Sequence, residues 1–413
     1  MRTPLDSPFS PGSDSVPAVW AGRTAQLSDW RDVLRPRRLA GIPERGRTVL
    51  GEAGSGKSAL VCRIAAEASD VDDWVSPQLR IPTGTDPLRR VASALLDLAG
   101  TAGLAAAREK RIAGLLGRVE SVAASGLSLS LRSSKEPEAY MALTELLVEV
   151  GRAALGAGVM VVLHLDEVQN LDDRHALSQV LIALGDALTY EQRVEAPGAV
   201  RFERALPIAV FLTGLPEFTD MAGARTGATF ARRFQTVTLG AIDDASMLTA
   251  LQPFVSEGWE VAGDGTSSDG PGRVFMEPGA QRAIVERACG EPFLFQLAGE
   301  RAWYAGEGDV ITAREAARGW QGAAGEAEAH VQRILERLPQ REREVLEATA
   351  GLDPQDRTLT RIAQEAGFAR ATDAGPAAQR LDVTRGIIRR GKPYTFRHRA
   401  VEAYLTSDWP RLR

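Results

Sequence analysis

The chain has 413 residues, 44% of them hydrophobic and 25% charged, the balance of a soluble globular protein with room for roughly two to four domains. A formal net charge of −5 excludes a molecule that holds nucleic acid by bulk charge, so any such surface has to be local. No apolar run reaches the roughly 18 residues of a membrane helix and no leader-like apolar stretch opens the chain, so no membrane contact and a cytoplasmic location are expected.

Residues 1–17 are rich in Pro, Ser and Gly and should form an extended arm. Val19–Leu27 follows and leads into an amphipathic helix through about Leu34. Pro36–Arg45 is a basic connector with two prolines. Arg47-Thr48-Val49-Leu50 is then a short β-prone stretch. It runs into Gly51-Glu52-Ala53-Gly54-Ser55-Gly56-Lys57-Ser58, which fits G-x-x-x-x-G-K-[ST] at every fixed position. Ala59 to Ala68 leaves the loop with helical character.

A strand, a glycine turn and a helix N-terminus gather backbone N–H groups and the positive end of a helix dipole around one point. Gly51 to Ala59 therefore reads as a nucleotide-binding segment. Lys57 would reach the β/γ-phosphates of ATP, and the Ser58 hydroxyl would hold Mg2+.

Trp74–Ile81 holds a second strand, and Leu88–Leu98 has apolar residues at helical spacing. Residues 104–136 are an insertion without a clear pattern, apart from the alternation Leu127-Ser128-Leu129-Ser130-Leu131. Glu138 to Leu155 is a helix. Val159–Leu165 and Leu206–Thr213 are nearly continuous apolar runs, as expected of strands buried on both faces of a parallel sheet. Gln235–Leu239 is a third strand. Strands alternating with helices give a doubly wound α/β core ending near Ile242. From Asp243 the pattern is helical, interrupted by a Gly/Ser/Asp-rich loop at Gly263–Gly272. Helices are expected at Ala280–Ala288, Phe293–Tyr304 and from Ala313 to about Leu338. Cys62 and Cys289 lie in apolar helical contexts, as buried reduced thiols do.

Asp166-Glu167 ends the Val159–Leu165 strand, at the carboxyl edge where ligands bind in open α/β sheets. Asp166 would join the Mg2+ shell, and Glu167 would orient or deprotonate the attacking water. Thr213, at the end of the next buried strand, is either a contact to the γ-phosphate or water, or a plain turn residue. His164 reads as a satisfied core histidine without a role. His175, His330 and His398 are scattered and propose no metal site.

These residues occur in the order Ala21-Gly22-Arg23, phosphate loop, Leu165-Asp166-Glu167, Thr213, Arg232-Arg233-Phe234 and Gly290-Glu291-Pro292. That order resembles the AAA+ ATPases, and more narrowly the origin-recognition-like and STAND-like ATP-binding proteins of bacteria and archaea, over about residues 16–413. The resemblance implies an adenine cover at Val19–Leu27. It makes Thr213 a sensor-1 residue. It makes Arg233 an arginine finger that reaches a neighbouring subunit's γ-phosphate in a homo-oligomer. The arginine that family members often carry after the Gly290-Glu291-Pro292 turn is missing, and Arg301 is the fallback.

Helices opening at Leu338, Thr360 and Ala374, followed by a strand–turn–strand at Ile387–Phe396, resemble a winged helix-turn-helix domain. Between Arg357 and Arg399 stand ten basic and three acidic residues, a local excess that suits double-stranded DNA. Gly375-Pro376 interrupts the third of these helices.

The expected architecture is an arm (1–17), an α/β ATPase core (18–242), an all-α lid (243–325) and a winged helix (326–413). The expected activity is an ATP-hydrolysing switch that cycles between ATP and ADP and acts on DNA or a protein partner. The alternative is a STAND-like signalling or defence scaffold that oligomerises with nucleotide and contacts proteins only.

Overall fold

The computed structural model describes residues 2–13, 15–82, 84–102, 114, 117, 139–171, 173–195, 201–223, 232–261 and 272–411. The alternation at Leu127–Leu131 and most of the 104–136 insertion lie outside the described residues, as does nearly all of the Gly263–Gly272 loop. The chain forms two compact units. One comprises Thr24–Leu50 and Leu60–Val237. The other is assembled from Met1–Arg23, Gly51–Ala59 and Thr238–Arg413.

The first unit is built on a six-stranded sheet. Its strands are β1 (Gly46–Leu50), β2 (Trp74–Val75), β3 (Leu79–Arg80), β4 (Val161–Asp166), β7 (Ile208–Gly214) and β8 (Phe234–Thr238). Their order is β2-β4-β7-β1-β8, with β3 also paired to β4. The strand read at Trp74–Ile81 is thus two short ones. Pairings of β4 with β7 and of β1 with β7 are parallel, in registers that set Leu163 against Val210 and Val49 against Thr213. All six residues of β4 and all seven of β7 are buried, which is why both read as unbroken apolar runs. Between β7 and its neighbours in sequence lies an antiparallel hairpin, β5 (Glu191–Glu195) and β6 (Arg201–Ala205).

Helices cover the sheet. They are α1 (Lys57–Ser69, which leaves the phosphate loop), α2 (Pro87–Thr101), α3 (Ala139–Ala157) and α4 (Arg174–Thr189). α3 packs on both α2 and α4. Two of them start on aspartate caps. Asp86 accepts from the Leu88 and Arg89 N–H groups, and Asp173 from those of His175 and Ala176, satisfying donors that a helix start leaves unpaired.

In the second unit, α5 (Asp244–Leu251), α6 (Pro278–Ala288), α7 (Pro292–Tyr304) and α8 (Ala313–Glu336) enclose buried Phe254, Phe295, Trp303 and Trp320. The helices carry a small three-stranded sheet, β9 (Trp259–Val261), β10 (Gly272–Met276) and β11 (Val310–Ile311). It went unread because its strands are short and two of them flank the Gly/Ser-rich loop. α8 opens on a capping box of Thr312 and Glu315 and runs unbroken across the boundary expected at 325/326.

The N-terminal arm is not a free extension. Arg2 is 3% exposed and donates to the carbonyls of Trp303 (2.9 Å), Gly308 and Val310 and to the Glu315 carboxylate. The Phe9 ring stacks on Phe254 at 5.8 Å and fills the space beside Gly299.

The C-terminal segment has α9 (Gln340–Gly351), α10 (Leu359–Glu365), α11 (Ala371–Val383), the antiparallel hairpin β12 (Ile388–Arg389) with β13 (Thr395–Phe396), and α12 (Arg399–Thr406). α11 continues through Pro376, whose ring leaves one carbonyl of the preceding turn without its usual donor. Neither cysteine forms a disulfide. Cys289 is buried and Cys62 partly so.

Candidate functional site

The phosphate loop is shaped by backbone that only small residues tolerate. Gly54 and Gly56 both have φ +80°, the left-handed region that favours glycine. A Cβ on Gly54 would also lie 2.6 Å from the His330 ring and 2.9 Å from Phe293. The Phe293 N–H donates to the Gly54 carbonyl at 3.1 Å. Lys57 folds back over its own loop, donating to the Gly51 and Glu52 carbonyls at 2.9 and 2.8 Å. Its ammonium is thereby held over the concave side of the turn.

Charge is concentrated around this loop. The Arg23 guanidinium donates to the Ser55 and Gly240 carbonyls, both at 2.9 Å. Burial pulls its pKa down to about 10, against the opposing pull of Glu291. Glu52 is buried and ion-paired with Arg337, the C-cap residue of α8. Buried polar atoms here nevertheless lack a hydrogen-bond partner, among them Ser55 Oγ, Arg23 Nε, His330 Nε2 and Arg337 Nε. Such atoms are costly, about 1–3 kcal/mol each, and clustered around a glycine cradle they mark where a ligand's polar atoms belong.

Arg23 and His330, with Gly54 and Gly56, border a cavity of about 320 Å3. Lys57, Ser58 and Ala59 line one end. Val19, Trp20 and Phe293 supply an apolar wall, and Ser10, Gly12, Ser13 and Ser15 of the arm contribute an edge. Gln296 ties that edge down, accepting from the Ser10 N–H at 3.1 Å and donating to the Val19 carbonyl at 2.8 Å. The expected fallback arginine, Arg301, is not at the cavity; it pairs with Glu326 and Glu300. Arg333 of α8 lines the cavity instead. Arg333 escaped the sequence reading because it lies beyond the turn where a basic residue was sought.

The second group of expected residues gathers at the carboxyl ends of β4 and β7. Asp166 is 4% exposed. It accepts from the Thr213 hydroxyl, from the Gln78 amide and from the Glu167 N–H (2.9 Å), and faces Arg80 at 3.5 Å. Thr213 is fully buried, and His164 Nε2 lies 3.0 Å from its hydroxyl oxygen. Thr213 has one proton and gives it to Asp166, so the histidine must be the donor and carries its proton on Nε2.

Burial pulls the His164 pKa down to about 4, so the ring is neutral at physiological pH. For Asp166, burial alone would raise the pKa, but the bonds from Thr213 and Gln78, with His164 and the Glu167 N–H, outweigh it and hold the carboxyl below its ordinary value. Since His164 is neutral there, the hydrogen bonds keep Asp166 ionised near pH 7. Gln78, Arg80 and His164 were missed as site residues. The first two stand at the end of a strand beside β4, a position that could have flagged them.

Glu167 adopts φ +55°, uncommon for a residue with a long side chain. Its exposed carboxylate accepts from Asn170 Nδ2 at 3.1 Å. Arg233 is ion-paired with Asp186 of α4 and packs its stem on Gly185, while Arg232 is exposed. Among the described residues no cluster of three His, Cys, Asp or Glu side chains forms a metal cage, and no helix is long and apolar enough to cross a membrane.

No family model matches the sequence, and no curated protein matches it. Solved structures do. The Walker-type ATPase PABY2304 of Pyrococcus abyssi is similar with a TM-score of 0.53 at 14% identity, covering 94% of this chain and 96% of that one. The ORC2 protein of Aeropyrum pernix, solved as ADPNP–ADP complexes, is similar with a TM-score of 0.53 at 13% identity, covering 97% and 95%. The chain shares the fold of these two proteins, an α/β phosphate-loop core accompanied by helices, and both similarities run over nearly the whole chain.

Proposed function

We propose that this chain binds ATP and Mg2+ and hydrolyses ATP as an AAA+ switch. The observation that carries the reading is the glycine cradle at Gly51–Ser58, with Lys57 folded over it and unpartnered buried polar atoms around it. The cavity volume falls at the lower end of small-ligand sites, about 300–1,000 Å3. It is polar at the loop and apolar toward Val19 and Trp20, which suits phosphates at one end and a base at the other. The Aeropyrum protein of similar fold was solved with ADPNP and ADP.

Ser58 and an ionised Asp166 offer the hard oxygen ligands Mg2+ prefers. When bound, the ion neutralises charge on the β- and γ-phosphates. In this reading Glu167 orients and deprotonates the attacking water. Thr213 acts by holding Asp166, because its hydroxyl is committed to that carboxylate. Arg233 would act on a neighbouring subunit's nucleotide, exchanging Asp186 for phosphate on assembly. The core, the lid and a winged-helix end would couple nucleotide state to double-stranded DNA.

The decisive experiment is Lys57→Ala. It removes a charge-assisted contact of about 1.5–3 kcal/mol, so ATP affinity should fall at least about tenfold in a folded protein. Unchanged affinity removes the site.

A second reading, the nucleotide-dependent scaffold that touches only proteins, is favoured by one observation. Of the ten basic residues between Arg357 and Arg399, seven are ion-paired within the chain. The pairs are Arg357–Glu402, Arg370–Asp373, Arg380–Glu342, Arg385–Glu342, Arg390–Asp382, Arg397–Asp382 and Arg399–Asp244. Salt-dependent binding of duplex DNA separates the two readings.

A further inference from the structure

His330 was passed over in the sequence as one scattered histidine among four. In the structure it sits on α8 on the same face as Arg333, one turn on, with Arg337 as the C-cap residue of the helix. It is 4% exposed. Its ring stacks on Phe293 with centroids 4.7 Å apart and planes 28° from parallel. Phe293 is the residue whose N–H pins the Gly54 carbonyl. A Cβ placed on Gly54 would lie 2.6 Å from His330 Cε1 and 3.3 Å from Nε2, so the Cε1–Nε2 edge of the imidazole lies over the turn of the phosphate loop. Nε2 has no partner, yet His330 lines the same cavity as Gly54, Gly56 and Lys57. Helix, ring stack and glycine hold the imidazole edge against the turn of the phosphate loop.

We propose that His330 is a ligand of the nucleotide's polyphosphate chain, donating a hydrogen bond from Nε2 to a non-bridging phosphate oxygen. The inference rests on the nucleotide reading of the loop. An unpartnered nitrogen in this setting gains a partner only when an acceptor enters the cavity, and a phosphate oxygen is the acceptor the loop selects. Charged or titratable groups near the ring are His398, Arg333 and Arg337. Together with burial they pull its pKa down to about 3, so the ring meets the ligand neutral, as a donor through one nitrogen. The contact would also tie loop occupancy to α8 and to the helices that pack against it.

The test uses the full chain with ADP, inorganic pyrophosphate and adenosine as probes, titrated by calorimetry. His330→Phe keeps an aromatic ring to stack on Phe293 and removes Nε2. ADP and pyrophosphate affinity should fall about 10- to 100-fold, the worth of one hydrogen bond to a charged group, while adenosine affinity stays unchanged. His330→Gln, which restores a donor, should recover most of the loss. In the wild type, the ¹⁵N resonance of Nε2 should shift on adding pyrophosphate, a readout that survives if a variant fails to fold. Equal ADP affinity in His330→Phe and wild type, or an Nε2 resonance indifferent to pyrophosphate, overturns the proposal. If Lys57→Ala also binds as the wild type does, the loop reading itself has failed. If Lys57→Ala is weak and His330→Phe is not, only the histidine's role is lost.

Discussion

Two polar regions, the phosphate loop and the strand-end carboxylate, are built to opposite rules. Around the loop, Ser55 Oγ, Arg23 Nε and His330 Nε2 are buried without partners. Around Asp166, Thr213, Gln78 and the Glu167 N–H all point at one carboxylate, and His164 completes the chain behind Thr213. The first arrangement stores unmet hydrogen-bonding capacity that a ligand can satisfy. The second spends its capacity internally, fixing one charge in position and protonation state.

The sharpest way to break this contrast is to separate binding from chemistry. Glu167→Gln keeps shape but loses the base. Turnover should drop by roughly 10²–10⁴ with ATP and Mg2+ binding nearly intact, checked by single-turnover assay and titration. A wild-type rate would show that Glu167 is not the reacting group.

Next in size is Thr213→Val, which deprives Asp166 of its hydroxyl donor and leaves the His164 N–H without an acceptor. Denaturant unfolding should report a loss of about 1.5–3 kcal/mol, because here the bonds are already made. No loss would mean the cluster is not the tightly coupled network its distances describe.

Acid gives a third measure. The folded-state pKa of His164 is about 4, below the ordinary 6.5, so the unfolded chain binds the extra proton between those values. Stability is therefore complete above about pH 6.5 and falls as pH drops toward 4, by roughly 2 kcal/mol between pH 7 and 5 from His164, with a similar loss from His330, whose folded-state pKa is about 3. A flat stability profile over that window would contradict the buried neutral ring.

The smallest effect concerns the arginine-rich end, where the same test of paired against unpaired groups applies. Arg361, Arg389 and Lys392 are exposed and make no ion pair among the described residues. If this end meets DNA, replacing Arg389 and Lys392 by Ala should flatten the log affinity–log salt slope by up to about two units, near 0.9 per phosphate contact. Replacing Arg390, already tied to Asp382, should change it less. No DNA affinity at physiological salt in the wild type would favour the scaffold.

Features that the sequence made legible are local ones. The phosphate loop is a single run of eight residues whose glycines and lysine are fixed by backbone geometry. β4 and β7 are buried on both faces, so their apolar character needs no partner to be seen. What stayed hidden depends on residues far apart in the chain. Arg2 and Phe9 looked like parts of a polar arm because their partners, Trp303, Glu315 and Phe254, lie hundreds of positions away. His330 had no motif around it, since Gly54 and Phe293 reach it only by folding. The local excess of positive charge at Arg357–Arg399 overstated the free charge, because Glu342, Asp244 and Glu402 come from outside that stretch.

The unit that holds the phosphate loop is drawn from three separate stretches, Met1–Arg23, Gly51–Ala59 and Thr238–Arg413, and this has a consequence for the protein's birth on the ribosome. Synthesis at about 5–20 residues per second separates the emergence of Gly54 from that of His330 by tens of seconds. During that interval the motif exists without its cavity, while the sheet-bearing unit already has the strands it needs. A chain stalled before α8 leaves the ribosome would carry the whole eight-residue motif and lack His330 and Arg333, the cavity residues that α8 supplies.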